Sequence, residues 1–202
     1  MKLLLTSAGL TNKSITNALK QLADKPFEDL NAVFIPTAAY PEVNLQWLEE
    51  DIKRIQKADV IFVGGGNTFY LSYWMQKSGL SDLLPELLKT RIYVGISAGS
   101  MIVTNNLRVS SQALEKFHQL SDEEYEELGP KGKSLSKTAK LVDFVIRPHL
   151  NSPQFSKIRL NFLSKIAKNL SETMYAIDDQ SAVLVNDKKI EIISEGKWKK
   201  FN

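Results

Sequence analysis

Tyr93-Val94-Gly95-Ile96-Ser97-Ala98-Gly99-Ser100 is the stretch that decides the fold and gives the first indication of chemistry. The β-branched run Ile92 to Ile96 predicts a buried strand, and Met101-Ile102-Val103 predicts the apolar start of a helix. A Gly-x-Ser-x-Gly between a strand and a helix is typical of a nucleophile elbow, in which small neighbours let the chain turn sharply. The same pattern also occurs where a helix simply packs tightly on a sheet. The surrounding sequence must therefore show whether this serine is a nucleophile or only part of a tight strand–helix contact.

Apolar segments of strand length alternate with helical patterns along the chain. The predicted strands are Lys2 to Thr6, Asn31 to Pro36, Val60 to Val63, Ile92 to Ile96 and Leu141 to Ile146. Helical faces are predicted for Ile15, Ala18, Leu19 and Leu22, for Leu45, Leu48, Ile52 and Ile55, for Leu71, Trp74 and Met75, and for a long late helix marked by Phe155, Ile158, Phe162, Leu163, Ile166 and Leu170. This alternation predicts one α/β domain over residues 1–202 with a mostly parallel sheet covered on both faces. Ala182 to Val185 and Ile190 to Ile193 predict a C-terminal β-hairpin.

Composition excludes several classes of function. The chain has 202 residues, a net charge of +3 and no cysteine, which excludes disulfides, thiolate zinc sites and cysteine nucleophiles. Scattered lysines without a basic stripe argue against nucleic acid as a partner. The apolar stretch at Met1 is too short for a signal peptide, and no segment approaches the length of a membrane span, so we expect a cytoplasmic protein with no membrane partner.

Histidine is scarce, which restricts the mechanism. His118 and His149 are the only two, and neither a His-Glu-x-x-His motif nor a Cys/His cluster is present, so we expect no metal site. His149 follows an apolar strand, and Pro148 makes the chain leave the sheet there. A histidine at a strand end is often structural, but the serine needs a base and His118 lies in a polar, irregular region. We therefore interpret His149 as the general base.

A second glycine motif, Gly64-Gly65-Gly66-Asn67-Thr68-Phe69, follows a strand and opens a helix. It matches neither nucleotide-binding glycine pattern, and one glycine would be enough for a tight turn, so three indicate close approach of a ligand to the backbone. Both glycine loops lie at carboxyl ends of strands, where parallel sheets bind ligands. If the strands are neighbours, the N–H groups of Ala98 and Gly66 can together hold the oxygen of a tetrahedral intermediate.

The third member of a serine triad should be a carboxylate that orients the imidazole. The polar turn Asp178-Asp179-Gln180 lies between two apolar stretches and is the best candidate region, and the residues alone do not choose between Asp178 and Asp179. Asp143, within the predicted strand before His149, is a lesser rival.

The segment Ser111 to Ala139 is the least regular part of the chain and contains the acidic run Asp122 to Glu127. We favour a solvated helix followed by a turn, with a flap over the site as the alternative.

Together these motifs resemble the serine peptidase family of peptidase E (aspartyl dipeptidase) and cyanophycinase. The resemblance implies a flavodoxin-like three-layer sandwich related to class I glutamine amidotransferase domains, with a triad in the order Ser97, His149 and then a late carboxylate. It places that carboxylate on Asp179, where relatives commonly carry glutamate. It also implies an oxyanion hole at Gly66 and Ala98, with Gly65 and Asn67 at the substrate.

The resemblance further implies a serine exopeptidase or dipeptidase that cleaves short peptides through an acyl-enzyme without a cofactor, as a monomer or homodimer. Aspartyl dipeptidases bind the substrate aspartate with an arginine after the histidine motif. Here simple alignment puts Gln154 or Ser156 at that place, and Arg159 comes late, so we do not expect strict aspartyl specificity. The alternatives are hydrolysis of another amide or isopeptide, as in cyanophycin, and a non-catalytic flavodoxin-like module that binds an anion.

Overall fold

The computed structural model describes residues 1–36, 57–110 and 137–202. Its strands are β1 (Lys2–Thr6), β2 (Ala32–Ile35), β3 (Val60–Val63), β4 (Ile92–Ile96), β5 (Val145–Arg147), β6 (Met174–Ile177), β7 (Ser181–Asn186), β8 (Lys189–Ser194) and β9 (Trp198–Phe201). The main sheet has the order β2-β3-β4-β1-β7-β8, and a smaller sheet has the order β5-β6-β9. In the main sheet β2, β3, β4 and β1 are parallel, whereas β7 and β8 are antiparallel.

Helices cover both faces of the main sheet and give the α/β three-layer fold. The helices are α1 (Lys13–Leu22), α2 (Thr68–Lys77), α3 (Leu80–Leu87), α4 (Ala98–Met101) and α5 (Leu160–Ala167). Side chains of β1 alternate between the faces: Leu4 packs in a cluster with the buried face of α1, and Leu3 and Leu5 pack in a cluster with α2, α3 and α4. The sheet therefore carries two cores and presents the carboxyl ends of its parallel strands along one edge.

Most predicted elements are confirmed. The strands β1, β3 and β4 have the predicted bounds, and α1 buries the predicted face, with Asn12 accepting the N–H of Ile15 as its N-cap. The predicted C-terminal hairpin is formed by β7 and β8 around Asp187, which has a φ of 53°. The sheet is parallel across β2, β3, β4 and β1, and the hairpin adds two antiparallel pairings, since β7 runs opposite to β1 and β8 runs opposite to β7.

Two predictions about the second half of the chain were wrong in detail. The strand predicted over Leu141 to Ile146 covers only Val145–Arg147, because the N–H of Leu141 bonds to the carbonyl of Val103 at 2.8 Å and ties this segment to the turn after α4. The long late helix is a short 3-10 turn (Pro153–Phe155) followed by α5, because Arg159 between them has an extended backbone.

The helix predicted to start at Met101 is also shorter than expected. α4 is a single turn that ends at Met101, where the hydroxyl of Thr104 donates to the Met101 carbonyl at 2.7 Å. The β-branched run from Ile102 to Thr104 disfavours a longer helix. Consequently α4 is too short to provide the dipole of a long helix at the site.

Some predictions lie outside the described residues. These are the helical face at Leu45, Leu48, Ile52 and Ile55, the position of His118, the acidic run Asp122 to Glu127 and the first 26 residues of the Ser111 to Ala139 segment.

Candidate active site

Ser97 lies on a strained turn between β4 and α4. Its φ of 51° and ψ of −109° belong to a conformation that residues with a side chain rarely adopt. The N–H of Ser97 donates to the Thr6 carbonyl at 3.1 Å, which fixes the turn to the end of β1. A Cβ added at Gly99 would lie 2.0 Å from the Val63 carbonyl oxygen, so only glycine lets α4 pass this close to β3. The two motif glycines therefore serve the close approach of strand and helix.

His149 lies beside Ser97, although it comes from the smaller sheet. It follows β5 after Pro148 and has a φ of 64°. His149 Nε2 lies 2.8 Å from Ser97 Oγ, and the imidazole stacks on the Phe155 ring with centroids 4.5 Å apart and planes 12° apart. The structure thus brings the predicted base within hydrogen-bond distance of the predicted nucleophile.

Asp179 completes a continuous chain of hydrogen bonds. Its Oδ1 lies 2.7 Å from His149 Nδ1. A carboxylate accepts hydrogen bonds only, so Nδ1 carries the proton, and Nε2 of the neutral ring accepts from the Ser97 hydroxyl. Asp178 instead accepts from the Ser181 hydroxyl at 2.6 Å and from the Gln180 N–H at 3.1 Å within its own turn. Asp143 lies two residues before β5, outside the strand, and lines a different cavity.

Burial determines the protonation of His149. Desolvation lowers the pKa of the imidazole, the hydrogen bond and charge of Asp179 raise it, and the charge of Arg147 lowers it. The net effect is a pKa below the ordinary value. The ring is therefore neutral at neutral pH, as a proton acceptor must be.

The glycine loop lies against the serine turn. β3 and β4 are neighbours in the sheet, so the two loops that follow them meet at the same edge. A Cβ added at Gly65 would lie 3.0 Å from the Ser97 Cβ, and Gly66 has a φ of 138° that favours glycine. Asn67 caps α2, because its side-chain oxygen accepts the N–H groups of Phe69 and Tyr70, both at 3.0 Å. Gly65, Gly66 and Asn67 all line the cavity above Ser97.

This cavity has a volume of about 500 Å³, within the range of small-ligand sites. Its walls combine the serine turn, the glycine loop and the segment around His149; the lining residues include Ser7, Met101, Arg147, Gln154 and Phe155. Arg159 lies next to this wall, but its Nη1 donates to the carbonyls of Ser152, Phe155 and Ile158 at 3.1 to 3.2 Å. Arg159 therefore holds the loop that carries Gln154 and Phe155.

Sequence reasoning missed Ser7, which contacts both His149 and Asp179. The Ser7 hydroxyl donates to Asp179 Oδ1 at 2.6 Å, and the His149 N–H donates to Ser7 Oγ at 2.8 Å. The position of Ser7 directly after β1 could have identified it, because functional groups of parallel sheets lie at the carboxyl ends of the strands. Phe155 was identified only as a helix marker, and its stacking on His149 depends on the 3-10 turn that the periodicity did not predict.

Within residues 1–36, 57–110 and 137–202, no three His, Asp or Glu side chains gather in a way that suits a metal ion. Over the same ranges, the helices are too short or too polar to cross a membrane.

Comparisons with known proteins concern the family and the fold of this chain. The model of peptidase family S51 matches residues 43–193. An uncharacterized peptidase of Listeria innocua is 31% identical over 152 residues, which cover 74% of this chain and 66% of that protein. An uncharacterized peptidase of Pasteurella multocida is 27% identical over 191 residues, which cover 90% of this chain and 85% of that protein.

The crystal structure of a protein described as a peptidase E, from Listeria monocytogenes EGD-e, is similar in fold. It superimposes with a TM-score of 0.65 at 23% sequence identity and covers 96% of this chain and 98% of its own.

Proposed function

Because this chain belongs to peptidase family S51, we propose that it is a serine-dependent exopeptidase or dipeptidase that hydrolyses short peptides through an acyl-enzyme. The observation that carries the proposal is the continuous hydrogen-bonded chain from Ser97 Oγ through His149 to Asp179 Oδ1, with bonds of 2.8 and 2.7 Å. Nucleophile, base and orienting carboxylate in this geometry are the parts of a serine triad.

In the proposed reaction Ser97 Oγ attacks the scissile carbonyl carbon while His149 Nε2 accepts the hydroxyl proton. The imidazolium that forms is stabilised by Asp179 and returns the proton to the leaving amine, so the peptide bond breaks and an ester to Ser97 remains. Water then attacks this ester with His149 again as the base, which releases the acid and restores the Ser97 hydroxyl. No cofactor takes part in these steps.

The proposed oxyanion hole consists of the N–H groups of Gly66 and Ala98. Ala98 follows the nucleophile directly. The close approach of Gly65 to Ser97 supports a position for the N–H of Gly66, the next residue, beside the reacting carbonyl. Gly65 and Asn67 are proposed to contact the substrate, and their place in the cavity wall supports this role.

We propose a substrate range that is not restricted to aspartyl dipeptides. Arg159, the arginine that follows the histidine motif, already donates to three loop carbonyls. Gln154 and Phe155 face the cavity instead and offer an amide and an aromatic ring. Neither group binds a carboxylate as strongly as a guanidinium does, because a guanidinium is positively charged and donates two parallel hydrogen bonds to the two carboxylate oxygens.

The proposal is tested with a fluorophosphonate probe, which reacts covalently with activated serines. The wild type should be labelled with one equivalent of probe on Ser97, and Ser97→Ala should abolish labelling while the folded state persists. Labelling that survives in Ser97→Ala would refute the assignment of the nucleophile, and an unlabelled wild type would refute the serine mechanism.

The substrate class is tested separately with a library of dipeptides that contains an aspartyl subset and an isopeptide subset. We expect the wild type to cleave several non-aspartyl dipeptides and Ser97→Ala to cleave none. Exclusive cleavage of aspartyl dipeptides would contradict the specificity argument, and exclusive cleavage of isopeptides would favour the cyanophycin-like alternative. A cytoplasmic location and a monomeric or homodimeric state remain predictions, for cell fractionation and light scattering to check.

A further inference from the structure

Ser7 joins the separate parts of the site but takes no part in the proposed acyl transfer. Its side chain is fully buried, and it directly follows the central strand β1. The last residue of β1, Thr6, lies opposite Ile96 of β4 and opposite Ala182 of β7. Ser7 is therefore one position beyond the strand ends, between the turn that carries Ser97 and the turn that carries Asp179.

The Ser7 hydroxyl has two defined partners. It donates to Asp179 Oδ1 at 2.6 Å and accepts the main-chain N–H of His149 at 2.8 Å. Although Ser7 Oγ also lies 3.3 Å from His149 Nδ1, that nitrogen donates its own proton to the same carboxylate oxygen. A single hydroxyl thus fixes the carboxylate and the backbone of the base at once.

Both partners need such a restraint. Asp179 is on a turn with 39% of its side chain exposed, so water competes with the imidazole for its carboxylate. His149 has a left-handed backbone with a φ of 64°, which costs free energy for a non-glycine residue. The Ser7 hydroxyl is fixed by burial beside β1 and serves as both donor and acceptor. It therefore favours the one arrangement in which the Asp179 carboxylate faces the imidazole.

Building on the proposed function, we propose that Ser7 is a positioning residue that orients the Asp179 carboxylate toward His149 and holds His149 in its left-handed conformation. Its hydroxyl does not reach the reacting carbonyl and keeps its proton throughout the reaction. Its effect passes through Asp179 and His149.

The test measures the second-order rate constant of fluorophosphonate labelling for the full-length chain. Ser7→Ala should lower this constant about 10- to 100-fold, as expected for the loss of a hydrogen bond to a charged group. Ser7→Cys, which keeps the volume and a weak donor, should lie between Ser7→Ala and the wild type. Thr11→Val is the matched control: it removes a hydroxyl that donates to the main-chain carbonyl of Asp179 at 2.7 Å, and it should label within about two-fold of the wild type.

Two further readouts separate positioning from loss of folded protein. In an Asp179→Ala background, Ser7→Ala should lower the labelling rate less than it does in the wild type, because the part of its effect that passes through the carboxylate is already lost. The acid limb of the pH–rate profile should also move to lower pH in Ser7→Ala, because Asp179 raises the pKa of His149 only while it is aligned. Loss of folded protein would lower the labelling rate at every pH but would not move the acid limb of the pH–rate profile.

The outcomes distinguish this inference from the proposed function. If Ser7→Ala labels at the wild-type rate, or if its loss is the same with and without Asp179, the positioning role is overturned while the serine mechanism stands. A wild type that is not labelled at all overturns the serine mechanism and the role of Ser7 with it.

Discussion

Gly65→Ala is expected to displace the nucleophile without unfolding the protein. The added methyl would lie 3.0 Å from Ser97 Cβ and 3.4 Å from the Ile96 carbonyl oxygen. Carbon atoms in contact prefer separations of about 3.5 to 4.0 Å, so Ser97 must yield by about 0.5 Å. A movement of that size is large relative to the tolerance of the 2.8 Å hydrogen bond between Ser97 Oγ and His149 Nε2, and it would disturb the length or the angle of that bond.

We expect the fluorophosphonate labelling rate of Gly65→Ala to fall about 10- to 100-fold, since small misplacements of reacting groups are costly. Overpacking of this kind lowers the free energy of unfolding by about 1 to 3 kcal/mol, which a protein of ordinary stability survives. Thermal unfolding followed by circular dichroism, on the same samples as the labelling assay, measures the two effects side by side.

Gly79→Ala provides the control. Gly79 has a φ of 74°, and an added methyl there meets nothing within 4 Å, so the substitution costs about 1 to 2 kcal/mol of backbone strain with no contact to the site. The two variants should lose similar stability, and only Gly65→Ala should lose labelling. Labelling of Gly65→Ala at the wild-type rate, or an equal loss in both variants, would refute the reasoning from the loop–serine contact.

Two further predictions concern His149. The labelling rate of the wild type should fall as the pH drops through the pKa of His149, because the protonated ring cannot accept the serine proton; burial lowers that pKa, so the midpoint should lie below the ordinary value of about 6.5. A midpoint above that value would contradict the dominance of burial. Phe155→Ala should move the same midpoint upward by about half a pH unit, because removal of the stacked ring admits water to the imidazole. A midpoint that stays in place would show that Phe155 does not control the solvation of His149.

The sequence predicted the parts of the site that depend on strand ends. Ser97 and His149 each follow a short apolar segment, and strand ends meet at one edge of an α/β sheet whether or not the exact partners are known. The residues alone did not choose between Asp178 and Asp179, because adjacent residues on a turn point in directions that depend on backbone angles; only the family resemblance favoured Asp179. The structure separates them through contacts of Asp178 with Ser181 and of Asp179 with His149.

Long-range pairing explains what the sequence could not predict. The segment before β5 looks like a continuous strand, and its first half is tied to Val103 by a backbone bond between distant residues. Placement of β5 beside β6 in a second sheet likewise depends on partners that no local pattern specifies. Periodicity reports which face of a segment is buried and leaves open what the segment lies against.

The central position of β1 has a consequence for the timing of biosynthesis. This strand is made before both of its neighbours, β4 and β7, and translation must pass residue 186 before the second pairing can form. Until then Ser7 has no Asp179 to hold, and a nascent chain that already contains Ser97 and His149 lacks the carboxylate that completes the arrangement. Such distant contacts form late in folding. Under the proposed mechanism, hydrolytic competence therefore arises only after β7 has paired with β1.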